Sequence, residues 1–193
     1  MPSYFTTSGF LTFGKDEATL VGVKYTPLIT ISYSKLLYGI LLEDITFNGI
    51  LLGIPSIAFF IPDTVNDSGT PITQLPQTTY NALSCEFRKQ MRFFGYLLLP
   101  SSNSQWDTCN DLMGKTQMYI LRISFVFVDG ITLELDPTGI LYVFENSTTN
   151  CLAFSGVPDN IVLTILGDFQ QRKMEVIHDV GGRRIRFRPS PCV

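Results

Sequence analysis

Charge and histidine are both scarce in this chain of 193 residues: Asp, Glu, Lys and Arg make up 16% of it, and His178 is its one histidine. A formal net charge of -3 leaves no basic footprint for nucleic acid or for an anionic membrane. The four cysteines, Cys85, Cys109, Cys151 and Cys192, contain no C-x-x-C pair, so zinc and dithiol redox sites lack their ligand spacing. No second ligand stands at a recognisable spacing from His178, which therefore reads as a strand residue with a hydrogen bond rather than a catalytic or metal-bound one. No cofactor and no metal are expected. The opening stretch MPSYFTTSGFLTFGK lacks a basic segment followed by an apolar run, so it does not read as a secretory signal peptide. The run Ile45 to Pro62 carries no charge over 18 positions, the lower limit for a spanning helix. Asn48, Gly49, Gly53 and Pro55 interrupt it where a helix would suffer, which favours buried strands over a membrane span.

What is present points to β structure. Hydrophobic residues make up 45% of the chain and aromatics 12%, with 15 Gly and 11 Pro, a composition that suits one well-buried domain of short strands and turns. Apolar alternation marks FLTFG, ATLVGVKY, ITFNGILLGIP, YILRISFVFVDG, ITLELD and ILYVFEN as strands and hairpins. In FVDGITLEL, Asp129 and Gly130 are expected to supply the two positive-φ positions of a tight hairpin between Ser124 to Val128 and Ile131 to Leu135. After Pro76, the residues Tyr80, Leu83, Phe87 and Met91 fall on one face of a helix, with Thr78 or Thr79 as its cap and Lys89 and Arg92 favouring its C-terminal end. Residues 97–112 read as one long polar loop.

Between these runs lies Asn66-Asp67-Ser68-Gly69-Thr70. A carboxylate followed by a small hydroxyl residue, a glycine and a second hydroxyl residue can form a tight turn in which the hydroxyls fix the carboxylate. Alone, such a quartet is equally a surface turn with a local side-chain bond. It does not stand alone. Leu75-Pro76, the helix with Tyr80, DTCNDL from Asp107, CLAF from Cys151 and ILGDFQQ from Ile165 follow in order.

In that order and spacing the chain resembles the C-terminal lobe of the pepsin-like aspartic proteases, specifically their nepenthesin-like plant branch, from about Gly9 to Cys192. The resemblance implies a mostly β fold: residues 1–193 as one lobe of a bilobal protein, with antiparallel sheets, a ψ-loop and one short helix after the active loop. The strand Ile165, Leu166 and Gly167 is expected to lie against the loop that bears Asp67. Asp67 is then one of two catalytic carboxylates that share a proton and activate a water to hydrolyse a peptide bond without a covalent intermediate. By the same match Ser68 joins the hydrogen-bond network between the two catalytic loops, while Gly69 and Thr70 contact the backbone of a polypeptide substrate. Cys109 and Cys151 match a bridge within the lobe. In relatives the terminal cysteine, here Cys192, pairs with one further upstream; Cys85 is additional and a candidate substitute partner. From sequence alone, three connectivities stay open. The family is secreted, whereas this chain as written shows no leader.

Asp67 to Gly69 is the one D-[ST]-G of the sequence. The N-terminal lobe with the other aspartate is absent from it, so the isolated chain is expected to be inactive unless that lobe or a second copy completes the dyad. Asn66 replaces an apolar residue, and its amide must find partners or cost roughly 1 to 3 kcal/mol. Pro71 is expected to remove a ladder donor where the family strand continues. Of two glycosylation sequons, NDS at Asn66 would block the cleft and NST at Asn146 is the more credible acceptor. Arg184, Arg186 and Arg188 share a strand face, read as solvated or as an altered lobe interface rather than a nucleic-acid patch. Two alternatives stand beside the protease reading: a silent binding or inhibitor-type protein of the xylanase-inhibitor kind, and a truncated gene product.

Overall fold

The computed structural model describes residues 9–14, 25–31, 34–60, 63–100, 106–114, 121–161 and 163–189. The central element is a six-stranded sheet with the order Phe154–Val157, Thr73–Pro76, Leu163–Leu166, Asp63–Asn66, Ser34–Ile40 and Ile29–Ile31. Its strands are short and alternate as a pleat requires: Thr164 and Leu166 point inward while Leu163 and Ile165 are half-buried. Leu163–Leu166 runs parallel to Asp63–Asn66 and meets Thr73–Pro76 antiparallel at Ile165 and Gln74. It is thus inserted between two strands that follow one another in the chain, which is the ψ-loop.

Three further sheets flank it. One has four strands, with Ile123–Phe127 between Thr132–Glu134 and Leu42–Phe47, and Ile50–Leu51 outermost. Another orders Leu141–Val143, Thr149–Leu152, Cys109–Asp111 and Leu97–Leu98. The third places Arg184–Pro189 between Thr26–Pro27 and Met174–Asp179.

The helix spans Gln77–Phe93 and buries Tyr80, Leu83, Phe87 and Met91, the face that the spacing predicts. That face joins Ile40, Phe47, Leu75, Phe125, Phe127 and Phe154 in the main core. Each such side chain, fully buried, contributes about 1.5 to 3 kcal/mol relative to leaving it exposed. At 17 residues it is longer than the short helix expected, and the one-turn helices Ile57–Phe60, Pro137–Ile140 and Asp168–Gln171 accompany it.

Several local expectations are corrected. Pro76, not Thr78 or Thr79, occupies the cap position, and Asp159 from a distant turn accepts bonds from the Thr78 backbone N–H at 3.0 Å and hydroxyl at 2.7 Å. Pro76 brings no side-chain donor or acceptor, so the open helix end is satisfied from outside. At the hairpin tip only Gly130 has positive φ; its N–H donates to Phe127 O and the Phe127 N–H donates to Ile131 O. The connection therefore has three residues, ending in a left-handed glycine, instead of two. Phe10 to Gly14 forms no strand and exposes Phe10, Leu11 and Phe13, because no partner strand lies beside it among the described residues. The stretch 97–112 includes two short paired strands, so it is not wholly loop. Ile140 closes a helical turn before its strand begins. ATLVGVKY lies outside the described residues except for Tyr25. The described part of the charge-free run, 45–60, forms strand, hairpin and one-turn helix, and among the described residues no helix is long and apolar enough to cross a membrane.

Candidate active site

Asp67 follows directly on the strand Asp63–Asn66, at the point where the inserted strand ends beside it. Its N–H donates to Leu166 O at 3.0 Å, which fixes the backbone of the acid to that neighbour. The carboxylate, half-buried, is held by its own loop: Oδ1 accepts from the Gly69 N–H at 2.8 Å and Oδ2 from the Thr70 hydroxyl at 2.8 Å. Both oxygens are oriented without a cation, leaving the remaining lone pairs for water or a reacting group. Ser68 is exposed at the tip and gives the carboxylate no bond. Of the two hydroxyls expected to fix the acid, Thr70 does so.

The second half of the loop is stitched to residues 167–171. The Asp168 N–H donates to Thr70 O at 2.8 Å and the Phe169 N–H to Pro71 O at 2.9 Å. Gly167 passes so close that a Cβ there would meet the Ile72 carbonyl carbon at 2.6 Å and Thr70 O at 2.9 Å, a fit that glycine alone allows. Pro71 lies in this loop, outside any strand, so the expected loss of a ladder donor does not occur; its carbonyl is used and its missing N–H is not.

Beneath the loop sits a residue pair that the sequence did not single out. Gln170 is 1% exposed and all four of its amide bonds are made. Its Oε1 accepts from the Thr73 N–H at 3.1 Å and hydroxyl at 2.6 Å, and its Nε2 donates to Gly139 O at 2.6 Å and Ala153 O at 2.8 Å. Thr73 Oγ1 in turn accepts from the Gly167 N–H at 3.0 Å. Gln171 Nε2 donates to Leu166 O at 3.1 Å and Gly167 O at 3.3 Å. In the sequence ILGDFQQ shows only two amides following an apolar strand, which an exposed turn would show as well; burial makes their full bonding necessary.

Asn66 departs from this saturation. Its Oδ1 is buried and has no partner among the described residues, the cost that the sequence raised for an amide at this position. Cys109 and Cys151 face each other on paired strands and form a disulfide with Cα atoms 4.0 Å apart. Above it, Tyr80 donates to Asp107 and shares a 3.0 Å bond with Thr108 Oγ1, which also accepts from Arg88 Nη2 at 2.6 Å. Burial, and then the bond to Asp107, push the Tyr80 hydroxyl well above its ordinary value, so it stays a donor. Cys85 is exposed on the helix; Cys192 and any pairing of the two lie outside the described residues. His178 is exposed on its strand with its ring 4.9 Å from Tyr38. Arg184 pairs with Asp179 at 2.7 Å and Arg188 with Glu175. Among the described residues no three His, Cys, Asp or Glu side chains converge to hold a metal.

A family model described as xylanase inhibitor C-terminal matches residues 37–189. The chain belongs to that family. Relatives that resemble it include an aspartyl protease family protein of Arabidopsis thaliana, 39% identical over 192 residues, with 100% of this chain and 40% of that protein covered. Aspartic proteinase nepenthesin-2 of Nepenthes gracilis is 32% identical over 177 residues, covering 89% of this chain and 39% of its own length. The chain thus spans about two-fifths of these relatives. Among solved structures, edgp superposes with a TM-score of 0.76 at 18% identity, over 87% of this chain and 45% of that one. Basic 7S globulin from soybean gives 0.71 at 19%, over 92% and 46%. These two share its fold, which spans a little under half of each.

Proposed function

We propose that residues 1–193 act as the C-terminal lobe of an aspartic endopeptidase in which Asp67 is one of two catalytic carboxylates. The observation that carries this reading is the ψ-loop itself: a D-S-G-T turn whose carboxylate is oriented by Gly69 and Thr70 and whose backbone is fixed by Leu166. With a second carboxylate opposite, two like charges at close range hold one proton between them; the ionised acid takes a proton from water as it attacks the scissile carbonyl, and the protonated one donates to the carbonyl oxygen. Asp67 supplies one pole. The other comes from a second D-[ST]-G lobe, or from a second copy, because this sequence has one such triplet. The substrate is a polypeptide, and Gly69 and Thr70 stand where its backbone would pass. The Cys109–Cys151 bridge supports an oxidising, secretory compartment.

A second reading, a silent binding protein of the same fold, is favoured by Asn66, whose buried oxygen adjoins the acid and finds no partner among the described residues. The test separates the two. Cleavage of an unstructured protein is assayed from acid to neutral pH for the chain alone at rising concentration and joined to a D-T-G lobe, with and without a transition-state inhibitor of aspartic proteases. Inhibitor-sensitive cleavage that Asp67→Asn abolishes in a folded protein supports the enzyme; cleavage that survives the substitution removes Asp67 from the mechanism. Folded, inactive protein in both contexts favours the binding reading.

A further inference from the structure

Two Asn-x-Ser/Thr triplets occupy opposite surroundings. Asn66 ends a strand that pairs with Leu163–Leu166 on one side and Ser34–Ile40 on the other, and its side-chain oxygen is occluded. Asn146 stands in the loop that joins Leu141–Val143 to Thr149–Leu152, and residues 145–148 are all exposed. The Phe144 N–H donates to Thr149 O at 3.2 Å and closes that loop. Asn146 has φ 52°, a left-handed conformation that Asn tolerates at a turn. Ser147 Oγ accepts from the Thr149 N–H at 3.0 Å, the Leu112 N–H donates to Thr148 O at 2.8 Å, and the Thr148 hydroxyl bonds Asp111. The tip is therefore exposed and fixed in shape.

Two residues before Asn146 lies Phe144, half-buried. Its ring meets Tyr142 at 4.8 Å and 87° and Trp106 at 5.8 Å and 75°, both edge-to-face, while Trp106 stacks on Tyr142 at 4.7 Å. These contacts fix the tilt of the ring and leave part of it open beside the tip. Two residues of chain span at most about 7 Å, within reach of a sugar attached to the Asn side chain.

We propose that Asn146 is an N-glycosylation site and that the first N-acetylhexosamine of its glycan rests the apolar C–H face of its ring on Phe144. In the transfer, Asn146 Nδ2 attacks the anomeric carbon of a lipid diphosphate-linked oligosaccharide. A C–N bond forms as the C–O bond to the diphosphate breaks; the lipid diphosphate leaves with the electron pair and the amide gives one proton to a base of the transferase. Sugar and aromatic ring then bury apolar surface against each other, as aromatic faces do in ligand sites. Asn66 takes no glycan in the folded protein, because its side-chain oxygen is occluded and it stands at the end of a paired strand against the Asp67 loop.

The inference rests on the secretory reading above, so the experiment supplies entry independently: the full chain follows a heterologous signal peptide in a eukaryotic host, and total cell protein is read as well as medium. One endoglycosidase-sensitive mass step is expected, lost in Asn146→Gln and Thr148→Ala and kept in Thr148→Ser and Asn66→Gln. No step in the wild-type chain, or a step that survives Asn146→Gln, overturns the site, and a step lost in Asn66→Gln overturns the choice between the two triplets. For the seat, the proton resonances of the first sugar are expected upfield in the wild-type glycoprotein and unshifted in Phe144→Leu, which keeps an apolar filler. Equal resonances in both overturn it. Native export, tested separately from the natural gene, bears on the compartment and not on this chemistry.

Discussion

The loop that carries Asp67 and the hairpin loop 145–148 are both short, polar and built on an Asn-x-Ser/Thr triplet, yet they are immobilised by different means. The hairpin is held by its own register: Phe144 against Thr149, Tyr142 against Cys151, and the disulfide from Cys151 to the next strand at Cys109. The acid loop is held by residues far away in the chain, with Gln170 reaching Thr73 across 97 positions and Gly167 nested under Thr70 and Ile72. Local turns suit a site that must be exposed. A carboxylate that is to face a partner with fixed geometry is better served by bonds from a rigid neighbouring strand, since loops alone hold side chains less well. The two regions touch through aromatic contact, Tyr142 on Phe169 at 5.5 Å, so each can be broken while the other is watched.

The largest expected effect is on the acid loop. Gln170→Leu keeps volume but strands a buried hydroxyl, a buried N–H and two carbonyls; at about 1 to 3 kcal/mol for each group left unsatisfied, a loss of at least about 4 kcal/mol is expected. Hydrogen exchange should rise at the Gly167, Asp168 and Phe169 amides while the Cys109–Cys151 hairpin stays protected. Uniform exchange across both regions would break the comparison. The reverse experiment, Cys109→Ser with Cys151→Ser, should cost about 3 kcal/mol by denaturant unfolding. It should loosen residues 141–152 first and leave the bonds of Asp67 intact. Should the loop at Asp67 loosen equally, the disulfide supports the candidate site and the two regions form one unit.

Gln170→Glu sharpens the contrast through pH. The new carboxyl keeps an acceptor toward Thr73, but its second oxygen faces the carbonyls of Gly139 and Ala153, where only the protonated form can donate. Burial and those carbonyls raise its folded-state pKa above the ordinary value of about 4.3. The sign follows: the variant is closest to wild type below that value and loses stability as pH rises through the raised one, about 1.4 kcal/mol for each tenfold fall in the acidity of the buried carboxyl. Thermal midpoints of variant and wild type should diverge from acid toward neutral pH. A constant difference would mean that the amide's two donors are not what holds this junction.

How far all this could be read from the sequence follows the same division. Helix Gln77–Phe93 was legible because 3.6-residue periodicity is local and its buried face is the one that the spacing marks. The position of Asp67 beside Ile165, Leu166 and Gly167 came from the family resemblance, since nothing in the spacing of residues 67 and 166 says that they pair. Gln170 escaped because a buried amide is legible only once its four partners, drawn from three other segments, are known. The same holds for the hairpin at Gly130, where Asp-Gly suits a two-residue turn, but the pairing of Phe127 with Ile131 spaces the strands for three.

The helix cap shows the limit most clearly. Thr78 and Thr79 are good capping residues by type, but Pro76 already fixes the chain entry with φ -50° and ψ 142°, which puts both threonines inside the first turn. Their helix end still needs an acceptor, and Asp159, 81 residues on, provides both of its oxygens to Thr78. These bonds, from the Thr78 N–H and then its hydroxyl, hold the exposed Asp159 carboxyl below its ordinary value. With a depressed folded-state value, this contribution is present above the ordinary carboxyl range and is lost as pH falls through the lowered one. Asp159→Ala should cost about 1 kcal/mol, the ordinary worth of a cap, or about 2 to 4 °C in thermal midpoint at this size. Asp159→Asn should recover part of it, because an uncharged amide oxygen still accepts from the backbone, though more weakly than a carboxylate. The deficit of Asp159→Ala should shrink in strong acid to about the part that Asp159→Asn recovers, since the protonated carboxyl keeps one such acceptor; a deficit that stays at its neutral-pH size would assign the loss to packing in the Asp159 turn rather than to the carboxylate that closes the helix end.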